Sequence, residues 1–337
     1  MDALATLLDG PRARGAFLLR SVLTPPWSVR IADLAPLTLV HMVRGDAWIR
    51  TDDGQARHLR PGDIAVIRGP EPYVVAGDPS TEPQIVIRPG QISTDTKGNE
   101  LCEQMDLGVR TWGDDPGGVD GSVGPGGPGG AGSGAAGESP QSAVMISGTY
   151  QMRGEISSRL LSALPQVLVV AGDEWSSPLP ALLGEEIVRD EPGQEVVLDR
   201  LLDLLLIAVL RTWFARPEAG APAWYAAQSD PVVGPALRLL HNDPAHPWTV
   251  AELAARTGVS RAALGRRFTD LVGEPPMAYL TGWRLALAAD LLREPDATIA
   301  SVARRVGYGS PFALSAAFKR VRGVSPQQHR ERTAAAS

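Results

Sequence analysis

Residues 250–276 read VAELAARTGVSRAALGRRFTDLVGEPP, and residues 299–326 read IASVARRVGYGSPFALSAAFKRVRGVSP. The two stretches are one pattern written twice. Val250–Gly258 aligns with Ile299–Gly307 at an offset of 49. Beyond the turn the offset is 50, pairing Leu264 with Leu314, Phe268 with Phe318, Gly273 with Gly323 and Pro276 with Pro326. The extra residue falls in the second turn, at Tyr308–Ser310. A sequence repeat implies a repeated structural unit, and each copy carries the punctuation of two helices joined by a turn. Thr249 with Glu252 is a capping box. Ala254 and Ala303 are small where helices must approach closely. Gly258 and Gly307 suit a left-handed turn. Ser260, Ser310-Pro311 and Ser325-Pro326 are helix starts, with proline at the first helical position in the last two.

Between the copies, PMAYLTGWRLALAADLLR (Pro276–Arg293) places Tyr279, Leu280, Trp283, Leu287 and Leu291 at helical spacing. Such a helix would span about 27 Å at 1.5 Å per residue. That is a strut suited to holding two recognition helices about one DNA turn apart, ~34 Å.

GYGSPFALSAAFKRVRGVSPQQHR (Gly307–Arg330) resembles the signature of the AraC/XylS family of bacterial transcription regulators, and residues 249–285 resemble that family's first helix-turn-helix and linker helix. The resemblance covers about residues 231–332. It implies sequence-specific binding to double-stranded DNA and transcription regulation, activation included, with RNA polymerase as a candidate partner. It further implies that Ala262, Gly265 and Arg266 face base edges. Arg266 is the best candidate for direct readout, since its fork matches guanine O6 and N7. Arg261 and Arg267 are expected on phosphates. In the second unit Ser310, Phe312, Ala313, Ser315 and Ala316 hold DNA-facing positions, and Lys319 and Arg320 supply phosphate contacts. The small or apolar side chains there point to shape readout more than base reading. Leu264, Phe268 and Leu271 face inward, as do Leu314 and Phe318.

The N-terminal part reads differently. Leu37–Val43, Ala47–Thr51, Ile64–Ile67, Tyr73–Ala76 and Gln84–Ile87 are strand-like runs separated by turn signals such as Asp52-Asp53-Gly54 and Arg60-Pro61-Gly62-Asp63. That spacing suggests a β-sandwich or barrel. LRPGDIAVI, with Tyr73 downstream, resembles more weakly the cupin-type regulatory domain of that family. Further strands are expected at Val144–Ile146 and Val167–Val170, and a helix near Ile156–Leu164. Residues 117–137 form a Gly/Pro/Ser-rich insert expected to be a flexible spacer. Glu195–Ala215 is a long apolar helix. Leu198, Leu202, Leu205 and Val209 form one face, and Leu201, Leu204, Ile207 and Leu210 a second, a candidate homodimer surface.

The expected architecture is therefore a two-domain α+β chain. A cupin-like effector-binding and dimerisation domain (1–215) joins through a linker (216–231) to an all-α tandem helix-turn-helix domain (232–332). Charge follows this division. The whole chain is −6, but residues 231–337 hold 14 Lys and Arg against 8 Asp and Glu. A basic module on an acidic body fits DNA binding. An unidentified small-molecule effector is expected in the barrel mouth, lined by His41, Trp48, His58 and Tyr73. His41 and His58 lie 17 residues apart with no His-x-His, so no metal and no cofactor are expected. Neither paired carboxylates nor a nucleophile elbow stands out. This weighs against the alternative, a cupin-fold enzyme with an accessory DNA-binding domain. The lone Cys102 excludes an intrachain disulfide and is a candidate redox sensor. With no apolar span and no secretory signal, a cytoplasmic protein is expected.

Overall fold

The computed structural model describes residues 17–114, 142–150, 161–174, 176–216 and 219–335. The Gly-rich stretch 117–137 and most of the helix expected near Ile156–Leu164 lie outside them. The described residues divide into two compact units, one within 17–150 and 164–213, the other comprising 161–163 and the chain from Phe214 onward.

The first unit is a sandwich of two sheets. One runs β10 (Thr111–Gly113), β1 (Phe17–Leu23), β11 (Ala143–Tyr150), β3 (Leu37–Arg44), β6 (Ile64–Arg68), β12 (Val167–Val170) in spatial order. The other runs β5 (Ala56–Leu59), β4 (Ala47–Thr51), β7 (Tyr73–Ala76), β2 (Ser28–Ile31), β8 (Ile85–Arg88), β9 (Ile92–Asp95). Side chains alternate faces along each strand. In β3, Val40 and Met42 enter the core between the sheets with Ile49, Val75 and Trp27. Leu39 pairs with Gly148 of β11 on the opposite face.

That outer face is covered by α2 (Gln194–Phe214), which follows α1 (Leu179–Glu186). A Cβ at Gly148 would lie 2.7 Å from both Leu202 methyls, so the glycine is what lets α2 approach. Tyr150 seals the contact by donating its hydroxyl to the Leu202 carbonyl at 2.9 Å. Leu198, Leu202, Leu205 and Val209 of α2 are all fully buried. The second expected face is divided. Leu210 is buried, Leu201 and Ile207 are half-buried, and Leu204 is 51 % exposed.

The second unit is helical: α3 (Ala223–Ala226), α4 (Val233–Asn242), α5 (Val250–Arg256), α6 (Arg261–Val272), α7 (Pro276–Leu291), α8 (Ile299–Arg305), α9 (Pro311–Arg322) and α10 (Pro326–Ala335). Residues 216–231 are more than a linker, because Ala227 is buried in the first helical core and Trp224 packs against it.

Ser260 and Ser310 accept from the amides of Ala263 and Ala313, as their sequence positions require. The box at Thr249 is only half made. Its hydroxyl accepts from the Glu252 amide, but the Glu252 carboxylate turns to His246, 3.0 Å away. The reciprocal box belongs to the second copy, Thr298 with Ser301, and the last helix has its own, Ser325 with Gln328.

α7 joins the copies physically. Tyr279 and Leu280 belong to the core around Leu264 and Phe268. Leu285, Ala288 and Ala289 belong to the core around Leu314 and Phe318. Trp283, 1 % exposed, sits between. The helix has 16 residues and ends at Leu291, so the strut is about 24 Å long, one half-turn shorter than expected.

Candidate functional site

Exposed and buried positions separate cleanly on α6. Leu264 and Phe268 are fully buried, while Arg261, Ala262 and Arg266 are exposed and Gly265 is half-buried beside them. Leu271 departs from the expectation. It is 38 % exposed, since in the last turn it falls on the flank of the core that Phe268 fills.

On α9, Leu314 and Phe318 are buried, and Phe312, Ala313, Ala316, Lys319 and Arg320 are exposed. Phe312 is 82 % exposed, an unusual place for an aromatic ring and the largest apolar surface on this helix. The Ser315 hydroxyl donates back to the Pro311 carbonyl at 2.8 Å, and Ser310 serves as the cap. Both hydroxyls are engaged inside the helix.

Arg267 is engaged within the helical unit itself. Its guanidinium holds Asp230 through Nε at 2.9 Å and Nη2 at 2.7 Å. The same carboxylate accepts from the Val232 and Val233 amides, both at 2.9 Å, at the start of α4. Desolvation opposes ionisation of Asp230, but Arg267 and the two amides outweigh it and hold the carboxyl below its ordinary pKa. Arg267 is thus a tie between α6 and the start of α4, unlike Arg261 and Arg266. Asp230→Ala should destabilise the helical unit by ~1–2 kcal/mol as a lost cap. Arg267→Ala should cost less, ~0.5–1 kcal/mol, as a partly exposed ion pair. Urea titration followed by circular dichroism checks both.

Two arginines that sequence reasoning missed close the modules. Arg284 of α7 donates to the carbonyls of Pro244 (2.6 Å) and His246 (2.8 Å), in the loop before α5. Arg330 of α10 donates to those of Leu292 (3.2 Å) and Ala297, in the loop before α8. Each lies about 40 residues from its partners, and no local motif announces such a contact.

In the sandwich, a cavity of about 310 Å³ opens between the sheets. Of the four residues expected to share a pocket, Tyr73 lines it. The others lie elsewhere. His41 alternates with Val40 and so sits on the outer face of β3, buried, with Nδ1 3.4 Å from the Asp63 carbonyl. Trp48 and His58 are paired across β4 and β5 and stack at 4.5 Å, with His58 3.8 Å from Asp46. Strand parity sends those three side chains away from the space between the sheets. Cys102 lines the cavity from an exposed position, its sulfur 3.4 Å from the Ser93 amide. Among the described residues no three His, Cys, Asp or Glu converge as a metal site, and no helix is long and apolar enough to cross a membrane.

Comparison with known proteins matches both units. Residues 2–215 match the model of the cupin family, and residues 253–332 that of a helix-turn-helix domain. The chain is 41 % identical over 191 residues to a protein of Streptomyces antibioticus described as an AraC-like transcription regulator, covering 56 % of this chain and 63 % of that one. A counterpart of the same description from Streptomyces lividans is 39 % identical over 194 residues, with the same coverage. The HTH-type transcriptional regulator AlkR of Acinetobacter baylyi is 34 % identical over 184 residues, 53 % of this chain and 60 % of its own length. The matches therefore span somewhat under two thirds of these relatives.

Proposed function

The chain belongs to the cupin family and carries a helix-turn-helix domain behind its cupin, and from that premise we propose a DNA-binding transcription regulator governed by a small molecule held in the sandwich. The observation that carries the reading is the division of α7 between two cores. One unbroken helix fixes α6 and α9 relative to each other, the requirement for entering successive major-groove segments of one duplex.

Arg266 reads a base, with guanine as its geometric match. Ala262 and Gly265 allow close approach. On α9, Phe312 and Ala313 offer apolar contact to thymine methyls, while Lys319 and Arg320, with Arg261 on α6, neutralise phosphates. The exposed stripe of α2 at Val197 and Leu204 is the surface for a second copy. RNA polymerase is the downstream partner, and the cytoplasm, where the DNA is, the place of action. The relatives described as transcription regulators favour this reading over the enzyme alternative.

Arg266→Ala should weaken binding by ~1–3 kcal/mol and relax preference at one base position, whereas Lys319→Ala should weaken all sequences alike and lower the salt slope by about 1. Binding-site selection and salt titration of DNA affinity read these out. A selected consensus unchanged in Arg266→Ala refutes the assignment.

A further inference from the structure

We propose that the cavity takes a compact, uncharged, mostly apolar molecule bearing one hydroxyl group, an inference that rests on the reading of the sandwich as the effector domain. The cavity is graded from floor to rim. Leu23, Trp27, Val29, Val40, Val75 and Met145 form the inner wall, which carries no charged side chain. A ligand's body must match it, because burying a charge there without a partner is costly.

Polar groups gather at the other end. Thr38 lies in register with Thr149 on one sheet and Tyr73 with Ile31 on the other. Thr38 and Tyr73, both about 95 % buried, each bring a hydroxyl to this part of the lining. Further out, Asp33 is fixed as an acceptor. It takes the Gln91 side-chain amide at 2.8 Å and the Ala35 backbone amide at 3.0 Å. Gln91 holds this geometry in a left-handed backbone, φ +63°, and Arg110, which also lines the cavity, is left-handed as well, at +45°. Strain gathered around a cavity mouth is characteristic of binding sites.

A carboxylate has lone pairs to spare after two such bonds, so the head group that fits is a donor. A hydroxyl donates to Asp33 or joins the Thr38–Tyr73 pair at no charge cost. A carboxylate head would meet Asp33 with like charge, while Asp106, exposed, and Arg110, half-exposed, stand at the edge where water screens both. An ammonium head could pair with Asp33 only as a half-exposed ion pair, which returns little against the cost of desolvating the cation.

Titration of the full chain with 4-propylphenol, propylbenzene, 4-propylbenzoate and 4-propylbenzylamine tests this by calorimetry, with tryptophan emission as a second signal because Trp27 and Trp112 line the cavity. The phenol should bind at least about tenfold more tightly than the other three, the value of one well-placed hydrogen bond or one like-charge contact. Thr38→Val should reduce its advantage over propylbenzene to about threefold or less. Asp33→Asn should raise benzoate affinity relative to the phenol. Equal binding of the benzoate, the amine or the hydrocarbon overturns the ligand class and leaves the effector reading intact. No binding by any probe, in a protein that still binds DNA, overturns both the ligand class and the cavity as the effector site.

Discussion

Phe268→Ala and Phe318→Ala should each cost about 3–5 kcal/mol, the range for deleting a fully buried aromatic ring, and either should abolish specific DNA binding. Both rings are 0 % exposed and occupy the same place in the repeat. Phe268 meets Tyr279 edge-on at 5.8 Å, and Phe318 meets His329 edge-on at 5.5 Å. A typical domain is stable by only about 5–15 kcal/mol, so one such loss removes much of the margin. The sharper expectation concerns coupling. Leu280 and Leu285 sit one turn or so apart on α7, in different cores. Unpacking one core frays the helix that the other uses. Urea unfolding followed by helical ellipticity, with hydrogen exchange resolved by segment, should show both modules losing protection together in each variant. Two separated transitions, with the unmutated module as stable as in the parent, would mean that the modules stand alone and that α7 transmits nothing.

The helical half was legible because its signals are local. Ser260, Ser310 and Ser325 announce helix starts within three residues of the amides they cap, and Gly258 and Gly307 announce turns by their own backbone, φ +73° and +84°. What escaped was action at a distance. Glu252 has the spacing of a capping box, yet His246 competes for its carboxylate. Arg267 is exposed by helical periodicity, yet Asp230, 37 residues earlier, claims it.

The sandwich was legible where turns bracket a strand, as around β4 and β7. It was not legible at β1, whose FLLRSVL runs from exposed Phe17 through half-buried Leu19 and Arg20 to buried Ser21–Leu23 and shows no alternation. The cavity was the least accessible feature. Its lining comes from strands spread across residues 17–149, and a shift of one residue exchanges Val40 for His41 and so turns an outer-face side chain into a pocket wall.

The same distinction between a residue and its surroundings sets the second large effect, Gly307→Ala compared with Gly258→Ala. The two glycines are equivalent in the repeat and share a left-handed backbone. At Gly258 an added Cβ meets nothing within 4 Å, so alanine should cost only the conformational penalty, ~1–2 kcal/mol. At Gly307 the added Cβ would lie 2.7 Å from both the Ala245 Cα and carbonyl oxygen, and 2.8 Å from Arg284 Nη2. Those atoms belong to the 244–246 loop and to the guanidinium that clamps it from α7. Backbone cannot swing aside as a flexible side chain does, so the clash must open the place where the turn of the second module rests on the loop of the first. Gly307→Ala should therefore exceed Gly258→Ala by at least ~2 kcal/mol, of the order of overpacking added to the same strain. It should also release Arg284 from the Pro244 and His246 carbonyls. The DNA phenotype follows from the geometry. With α6 and α9 each intact but no longer held in one orientation, affinity for a full site should fall towards that for a half-site, while Gly258→Ala keeps the difference. Equal destabilisation by the two substitutions, or full-site affinity retained by Gly307→Ala, would show that the junction at Ala245 does not set the relation between the two recognition helices.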